Sequence, residues 1–183
     1  FISHNQFLLL EHSEFSPIKY FVEPITLSLN YIDEKYDYDS YYMIGLSGGG
    51  WTTVLYSAID ERISQSYSVA GSYPLHLRHE AKNLADYEQI NPNIYRISNY
   101  LEFYIMSSFG DDRKLVQLFI YNDPCCFQAE LYEKFPYGNA IQDRLEILGG
   151  EGKFSVFLDN STNQHEISDH ALSLILDDML NKG

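Results

Sequence analysis

Ile44-Gly45-Leu46-Ser47-Gly48-Gly49-Gly50-Trp51 is the stretch on which the reading of this 183-residue chain turns. Asp39-Ser40 and a short apolar run, Tyr41 to Ile44, stand before it; Thr52 to Ile59 follows with a helical composition. The order is strand, tight turn, helix. Within it, Gly45-Leu46-Ser47-Gly48-Gly49 fits G-x-S-x-G. A serine at the apex of so sharp a turn has a strained backbone, and side chains two before and two after would collide, which predicts glycine at 45 and 49. The hydroxyl then projects above the sheet. The helix behind it opens with free N–H groups, and the N–H of Gly48 is placed to donate to an oxyanion. No Gly-Lys-Ser/Thr follows, so this is not a Walker-type phosphate loop.

In this context the chain resembles the α/β-hydrolase superfamily, from about Pro17 to Leu180. The run Gly45 to Thr53 further resembles a bacterial group of esterases, some of them carbohydrate esterases. The resemblance implies an α/β fold: a mostly parallel sheet flanked by helices, with a serine nucleophile, an acid and a histidine in that chain order. Asp123 follows a strand end, and His165 lies in the loop after the following strand. Both therefore belong at the C-terminal edge of the sheet, where open α/β sheets place their sites. The competitors are weaker. Asp159 ends a strand only six residues before His165, Asp111 and Asp112 precede their strand, Asn122 carries no charge, and His170 falls inside the last helix. Ser47, Asp123 and His165 are the expected triad, Gly48 the oxyanion donor, and Gly45 and Gly49 the elbow glycines.

Composition narrows the partners. The net charge of −14 argues against nucleic acid or an anionic membrane surface. No run of 18 apolar residues occurs, so no membrane span is expected. The two cysteines are adjacent, Cys125-Cys126, and no zinc spacing exists. They read as two small residues packed near a strand end. His76, His79 and Glu80 resemble a metal cluster only loosely. His165-Glu166 and His170 fall one residue outside the H-E-x-x-H spacing, which rotates one histidine away from the other on a helix. No metal and no cofactor is expected. The chain opens at Phe1, which leaves a processed or truncated start open, and the compartment undecided.

Along the chain, Ser16-Pro17 reads as the start of a helix reaching about Asp33, with a kink or restart at Pro24. Strands are expected at Tyr41 to Leu46, Ile63 to Ala70, Leu115 to Tyr121 and Lys153 to Asp159. Helices are expected at Gly48 to Ile59, Gln128 to Phe135, Ala140 to Leu148 with Asn139 as its cap and Gly149-Gly150 as its stop, and from the Ser168 cap to about Asn181, with Ile167 and Leu172 as a hydrophobic staple. The whole chain reads as one domain, with the aromatic-rich residues 73–112 as a cap or pocket wall. The early strands of the fold are not recognisable before Ser40, and no His-Gly or Gly-Gly run there supplies a second oxyanion donor. The chain thus reads as the C-terminal part of the fold, its sheet completed by preceding sequence or another chain. The expected reaction is hydrolysis of an ester, with acetylated carbohydrate as the specific substrate. A peptidase-type serine hydrolase and an inactive interaction module are the alternatives.

Overall fold

The structure is a computed structural model that describes residues 2–79, 83–128 and 136–180. Its centre is a four-stranded, all-parallel sheet in the order β1 (Tyr41–Leu46), β2 (Ile63–Val69), β3 (Lys114–Ile120), β4 (Lys153–Asp159). The register sets Ile44 beside Tyr67, Val69 beside Leu118 and Ile120 beside Asp159. All four strands thus end at one edge, and β1 lies at the side of the sheet, paired only with β2 among the described residues.

Seven α-helices accompany the sheet among the described residues: α1 (Lys19–Lys35), α2 (Gly48–Ile59), α3 (Tyr87–Ile90), α4 (Pro92–Tyr95), α5 (Tyr100–Ser108), α6 (Gly138–Ile147) and α7 (Asp169–Leu180). Side chains alternate along a strand, and β3 shows the consequence. Leu115 and Phe119 pack with Trp51, Val54, Phe103, Tyr104 and Leu145 of α2, α5 and α6. Val116 and Leu118 point the other way, onto Ala171 and Ile175 of α7. Both faces are covered, which is why β3 reads as a continuous apolar run. Its buried polar residue, Gln117, donates to the Ser72 Oγ at 2.9 Å and accepts from the Tyr137 hydroxyl at 2.9 Å. Helix α1 forms a smaller cluster, Leu29 with Tyr56 and Ile63.

Several boundaries differ from expectation, each for a local reason. Helix α1 opens at Lys19, because Ser16, Pro17 and Ile18 accept from the third residue onward and form a tighter turn. Pro24 does not interrupt α1, which runs on to Lys35. Asn139 lies inside α6, whose flanking residue is Tyr137. Gly149 does stop that helix: its φ is +77°, and its N–H donates to the Glu146 carbonyl. Ser168 caps α7, its hydroxyl accepting from the Ala171 N–H at 2.9 Å. The helix expected at Gln128 to Phe135 falls on residues 129–135, outside the described residues, as do Glu80 and Asn181.

In residues 73–112 most of the aromatic rings serve the core, Phe109 being exposed. Tyr73, Tyr100, Phe103 and Tyr104 are buried with Trp51 in one cluster. The segment before α1 is fastened to this region by Glu11, which accepts from the Tyr87 hydroxyl and the amides of Asn91 and Asn93.

The closest backbone contacts in the sheet belong to glycines. A Cβ on Gly45 would stand 2.2 Å from the Gly49 carbonyl oxygen. One on Gly50 would meet the Gly71 Cα and the Val69 carbonyl oxygen at 2.9 Å, and one on Gly71 would meet the Gly50 Cα at 2.4 Å. A Cβ on Gly49 would meet nothing within 4 Å. The expectation that Gly49 avoids a collision is therefore corrected: that residue faces outward, and the required neighbours are Gly50 and Gly71. We expect Gly45→Ala, Gly50→Ala and Gly71→Ala each to destabilise the protein by about 2–3 kcal/mol or more, since backbone must move. Gly49→Ala should stay within about 1 kcal/mol of the parent, because it adds helix propensity without a clash. Urea unfolding midpoints of the four variants decide; a loss at Gly49 equal to that at Gly50 would contradict the packing.

Candidate active site

Ser47 lies between the last residue of β1 and the first of α2, with φ 57° and ψ −124°, a conformation that L-residues avoid. Holding a non-glycine residue there costs about 1–3 kcal/mol, and the surroundings must over-determine it. They do. The Ser47 N–H donates to the Val69 carbonyl at 2.9 Å, its carbonyl accepts from the Trp51 N–H at 3.0 Å, and Gly45 and Gly50 let α2 close onto both strands. Ser47 is half-buried, and the N–H of Gly48 opens α2 beside it.

Asp123 follows β3 after one turn, with its N–H on the Ile120 carbonyl. Its carboxylate is fully buried. One oxygen accepts from the N–H groups of Cys125 and Cys126 at 2.8 and 3.3 Å, and the other lies 2.8 Å from the Nδ1 of His165. A buried carboxylate needs such donors, because leaving a charge unpaired away from water is costly. With Asp123 ionised, the bond fixes the proton of a neutral imidazole on Nδ1 and leaves Nε2 as the acceptor. That Nε2 is buried and has no hydrogen-bond partner among the described residues. No hydrogen bond joins it to Ser47, so the structure brings Asp123 and His165 together and leaves Ser47 separate from them at the same sheet edge.

The loop carrying His165 is organised by Asp159 at the end of β4. Its carboxylate accepts from the Ser161 N–H at 2.9 Å, the Ser161 hydroxyl at 2.6 Å and the Ser168 hydroxyl at 2.6 Å. Burial pushes this carboxyl up, but the bonds from Ser161 and Ser168 outweigh it and hold the group below its usual range. The Asn122 amide donates to Asn163 at 2.9 Å and joins the two loops directly. Asp159 is thus a loop anchor. His170 is exposed on α7, its ring beside Phe157, and does not join the site. His76 and His79 are exposed.

Two residues that carry no sequence signal, Arg78 and Asn83, support the Asp123 loop. The Arg78 guanidinium is buried between the rings of Tyr100 and Phe127, 4.8 Å from each centroid. It donates to the Tyr73 carbonyl at 2.7 Å. Asn83 accepts from the Phe127 N–H at 3.1 Å. In a chain with 12 cationic residues, nothing marks Arg78 in advance as one of the buried ones.

Among the described residues, two groups of donor atoms are close enough to share an ion: Cys125, Cys126 and His165, and His4, Asp86 and Glu88. In the second, the His4 Nδ1 lies 3.2 Å from the buried Glu88, whose Oε1 stands 3.6 Å from where a Gly48 Cβ would be. The expectation of two packed cysteines is corrected, since Cys125 is exposed and Cys126 only partly buried. A broad groove lined by Tyr42, Gln65, Arg113, Lys114 and Lys153 sits where the strands begin, at the end of the sheet opposite Ser47. No helix among the described residues is long and apolar enough to cross a membrane.

No protein-family model matches the sequence, and no curated protein matches it either. Solved structures do match. A protein assigned as a dienelactone hydrolase from Klebsiella pneumoniae superposes with a TM-score of 0.52 at 11% identity, over 86% of this chain and 57% of that one. An acylaminoacyl peptidase from Pyrococcus horikoshii superposes with a TM-score of 0.59 at 14% identity, over 88% of this chain and 27% of that one. Both have the α/β-hydrolase fold, and this chain shares it. The chain spans little more than half of the first protein and about a quarter of the second.

The lowered carboxyl of Asp159 makes a pH-dependent prediction. A group held below its usual value stabilises the fold above that value, near pH 4, and its contribution is lost as pH falls through the folded-state value. Asp159→Asn should therefore cost about 1–3 kcal/mol at neutral pH. The gap to the parent should narrow in acid, as pH falls through the folded-state value and the parent carboxyl is itself protonated. Urea unfolding at neutral and at acid pH tests this; a gap that does not change with pH would place the effect elsewhere.

Proposed function

We propose that this chain is a serine hydrolase that cleaves a carboxylic ester through Ser47, His165 and Asp123. The observation that supports it most is the buried Asp123 carboxylate on the Nδ1 of His165, which leaves a buried Nε2 without a partner. An ordinary structural histidine has a partner for each ring nitrogen; a general base needs one kept open. The strained Ser47 at the strand-to-helix turn supplies the matching nucleophile.

In this reading Ser47 Oγ attacks the carbonyl carbon while the Nε2 of His165 takes its proton. Catalytic hydrogen bonds of this kind are often long before substrate binds, so the unmade bond between Ser47 and His165 closes in the complex. The Asp123 carboxylate holds the imidazole in the required tautomer and stabilises its charged form. The Gly48 N–H receives the oxyanion, a contribution of about 3 kcal/mol per donor in comparable sites. The imidazolium then protonates the leaving alcohol, an acyl-enzyme remains on Ser47, and water reverses the sequence. No step calls on a metal or an organic cofactor.

The substrate proposed is a small-molecule ester. Acetylated carbohydrate stays the narrower proposal on the resemblance of Gly45 to Thr53 alone. Three tyrosines of residues 73–112 are not free to stack on a sugar, since Tyr87, Tyr100 and Tyr104 are at most 4% exposed.

A fluorophosphonate probe should label Ser47, and Ser47→Ala should abolish labelling. Asp123→Asn should slow ester turnover by about 10⁴-fold, because the imidazole then rests in the wrong tautomer. Assays run on short-chain aryl esters, acetylated sugars and aminoacyl amides, with and without chelator. Equal labelling of Ser47→Ala, turnover of amides only, or loss of activity to chelator would overturn the reading; silence across the panel would favour an inactive module.

A further inference from the structure

Cys125 and Cys126 stand two and three residues after Asp123, and their thiols take no part in the reaction proposed above. Their sulfurs touch, 2.6 Å apart, and both lie within 4.8 Å of a ring nitrogen of His165. Their backbone N–H groups donate to one and the same Asp123 oxygen. Cys125 is exposed, whereas Cys126 is partly buried.

We propose that Cys125 and Cys126 are an oxidation site, a dithiol whose closure to a vicinal disulfide disrupts the bonding of Asp123 to His165. The reason is geometric. Adjacent Cα atoms are about 3.8 Å apart across a trans peptide, whereas a disulfide normally spans about 4.4–6.8 Å. Closing the ring therefore twists the peptide between the two cysteines. The N–H of that peptide is the Cys126 N–H, one of the two backbone donors to Asp123. The loop has little freedom to absorb the twist elsewhere. Pro124 fixes the backbone on one side. On the other, Phe127 is buried at φ 57°, with its N–H on Asn83 and the Arg78 guanidinium over its ring. The change is delivered to Asp123, and the imidazole it orients loses its fixed tautomer.

The oxidant is hydrogen peroxide. The Cys125 sulfur attacks one peroxide oxygen and the O–O bond breaks; one water leaves and Cys125 carries a sulfenic acid. The Cys126 sulfur then displaces the sulfenic oxygen, which departs as a second water with the Cys126 proton. Two thiols and one hydrogen peroxide give one disulfide and two waters. Burial pushes the Cys126 thiol up, which leaves the exposed Cys125 to meet the oxidant first. A strained ring is readily reopened by a thiol reductant.

The labelling arm of the test rests on the hydrolase reading; two other arms do not. The intact protein is treated with hydrogen peroxide, then with dithiothreitol. The chain should lose about 2 Da and stay monomeric on a non-reducing gel. The Nδ1 proton resonance of His165 should move or vanish, and fluorophosphonate labelling of Ser47 should slow at least about tenfold. Dithiothreitol should restore all three. Cys125→Ser and Cys126→Ser keep the backbone donors and should be labelled at close to the parent rate while losing the response to peroxide. Overoxidation without the mass loss, cross-linked chains, or a disulfide that leaves the His165 resonance unmoved would overturn the proposal. So would peroxide inhibition that persists in both serine variants. Absence of labelling in the reduced protein would defeat the hydrolase reading alone, and the mass and the resonance would still decide this one.

Discussion

The approach of Gly50 to Gly71 is the constraint on which the rest depends. A Cβ on either would stand within 3 Å of the other's backbone, so α2 and the turn after β2 pack main chain to main chain. That contact draws the start of α2 down onto the sheet and leaves Ser47 at the crest of the turn. The Ser68 hydroxyl donates to the Gly50 carbonyl at 2.9 Å and fastens the same junction. Beyond the first turn every residue of α2 from Trp51 to Ala58 is buried, so the helix has no solvent face along which it can slide. A helix fixed on all sides is a rigid platform for the turn at its start.

The second requirement is electrostatic. Asp123 puts a carboxylate where water does not reach, and its acceptors are satisfied from two loops that follow different strands. The charge therefore ties the β3 loop to the β4 loop as firmly as any apolar contact, and the Asn122–Asn163 bond runs alongside. Asp159 does for the interior of the second loop what Asp123 does between the two. Asp159 ends β4 and Asp123 sits just beyond β3 of the same sheet, but only Asp123 faces an imidazole. The strands set where the carboxylates stand; the loops set what they meet.

What was legible in the sequence was what local pattern decides. The four strands and the helix after Ser47 follow from apolar runs and their punctuation. Asp123 and His165 follow from standing just beyond strand ends. Gly149 declares itself by position alone. What stayed hidden depends on partners far along the chain. Gly50 matters because Gly71 is there, twenty-one residues on, whereas a Cβ on Gly49 in the same run would meet nothing within 4 Å. The tyrosines of residues 73–112 look like a pocket wall in composition, but Tyr104 and Tyr100 are drawn under the sheet by Trp51 and Phe103. Arg78 is buried because Tyr100 and Phe127 flank it, and no spacing announces that. Adjacent cysteines are unremarkable until the turn that holds them is seen to wrap a carboxylate.

Backbone strain is distributed in the same sense. Of the non-glycine residues with positive φ, Ser47, Ala70 and Phe127 lie at or beyond the C-terminal ends of β1, β2 and β3. Each is held from outside itself. Ser47 is bonded to Val69 and Trp51, the Ala70 N–H donates to the Leu118 carbonyl, and Phe127 is buried beneath Arg78 with its N–H on Asn83. An unfavourable conformation persists only where packing and hydrogen bonds exceed its cost of about 1–3 kcal/mol. Three such residues at one edge consume a sizeable share of a stability that is about 5–15 kcal/mol for a whole domain. The doubly covered sheet is what makes that expenditure tolerable. The core beneath the strands and the turns above them are thus one mechanical unit: loosening Leu115, Phe119 or Leu145 below would release the conformations above before it unfolded the sheet.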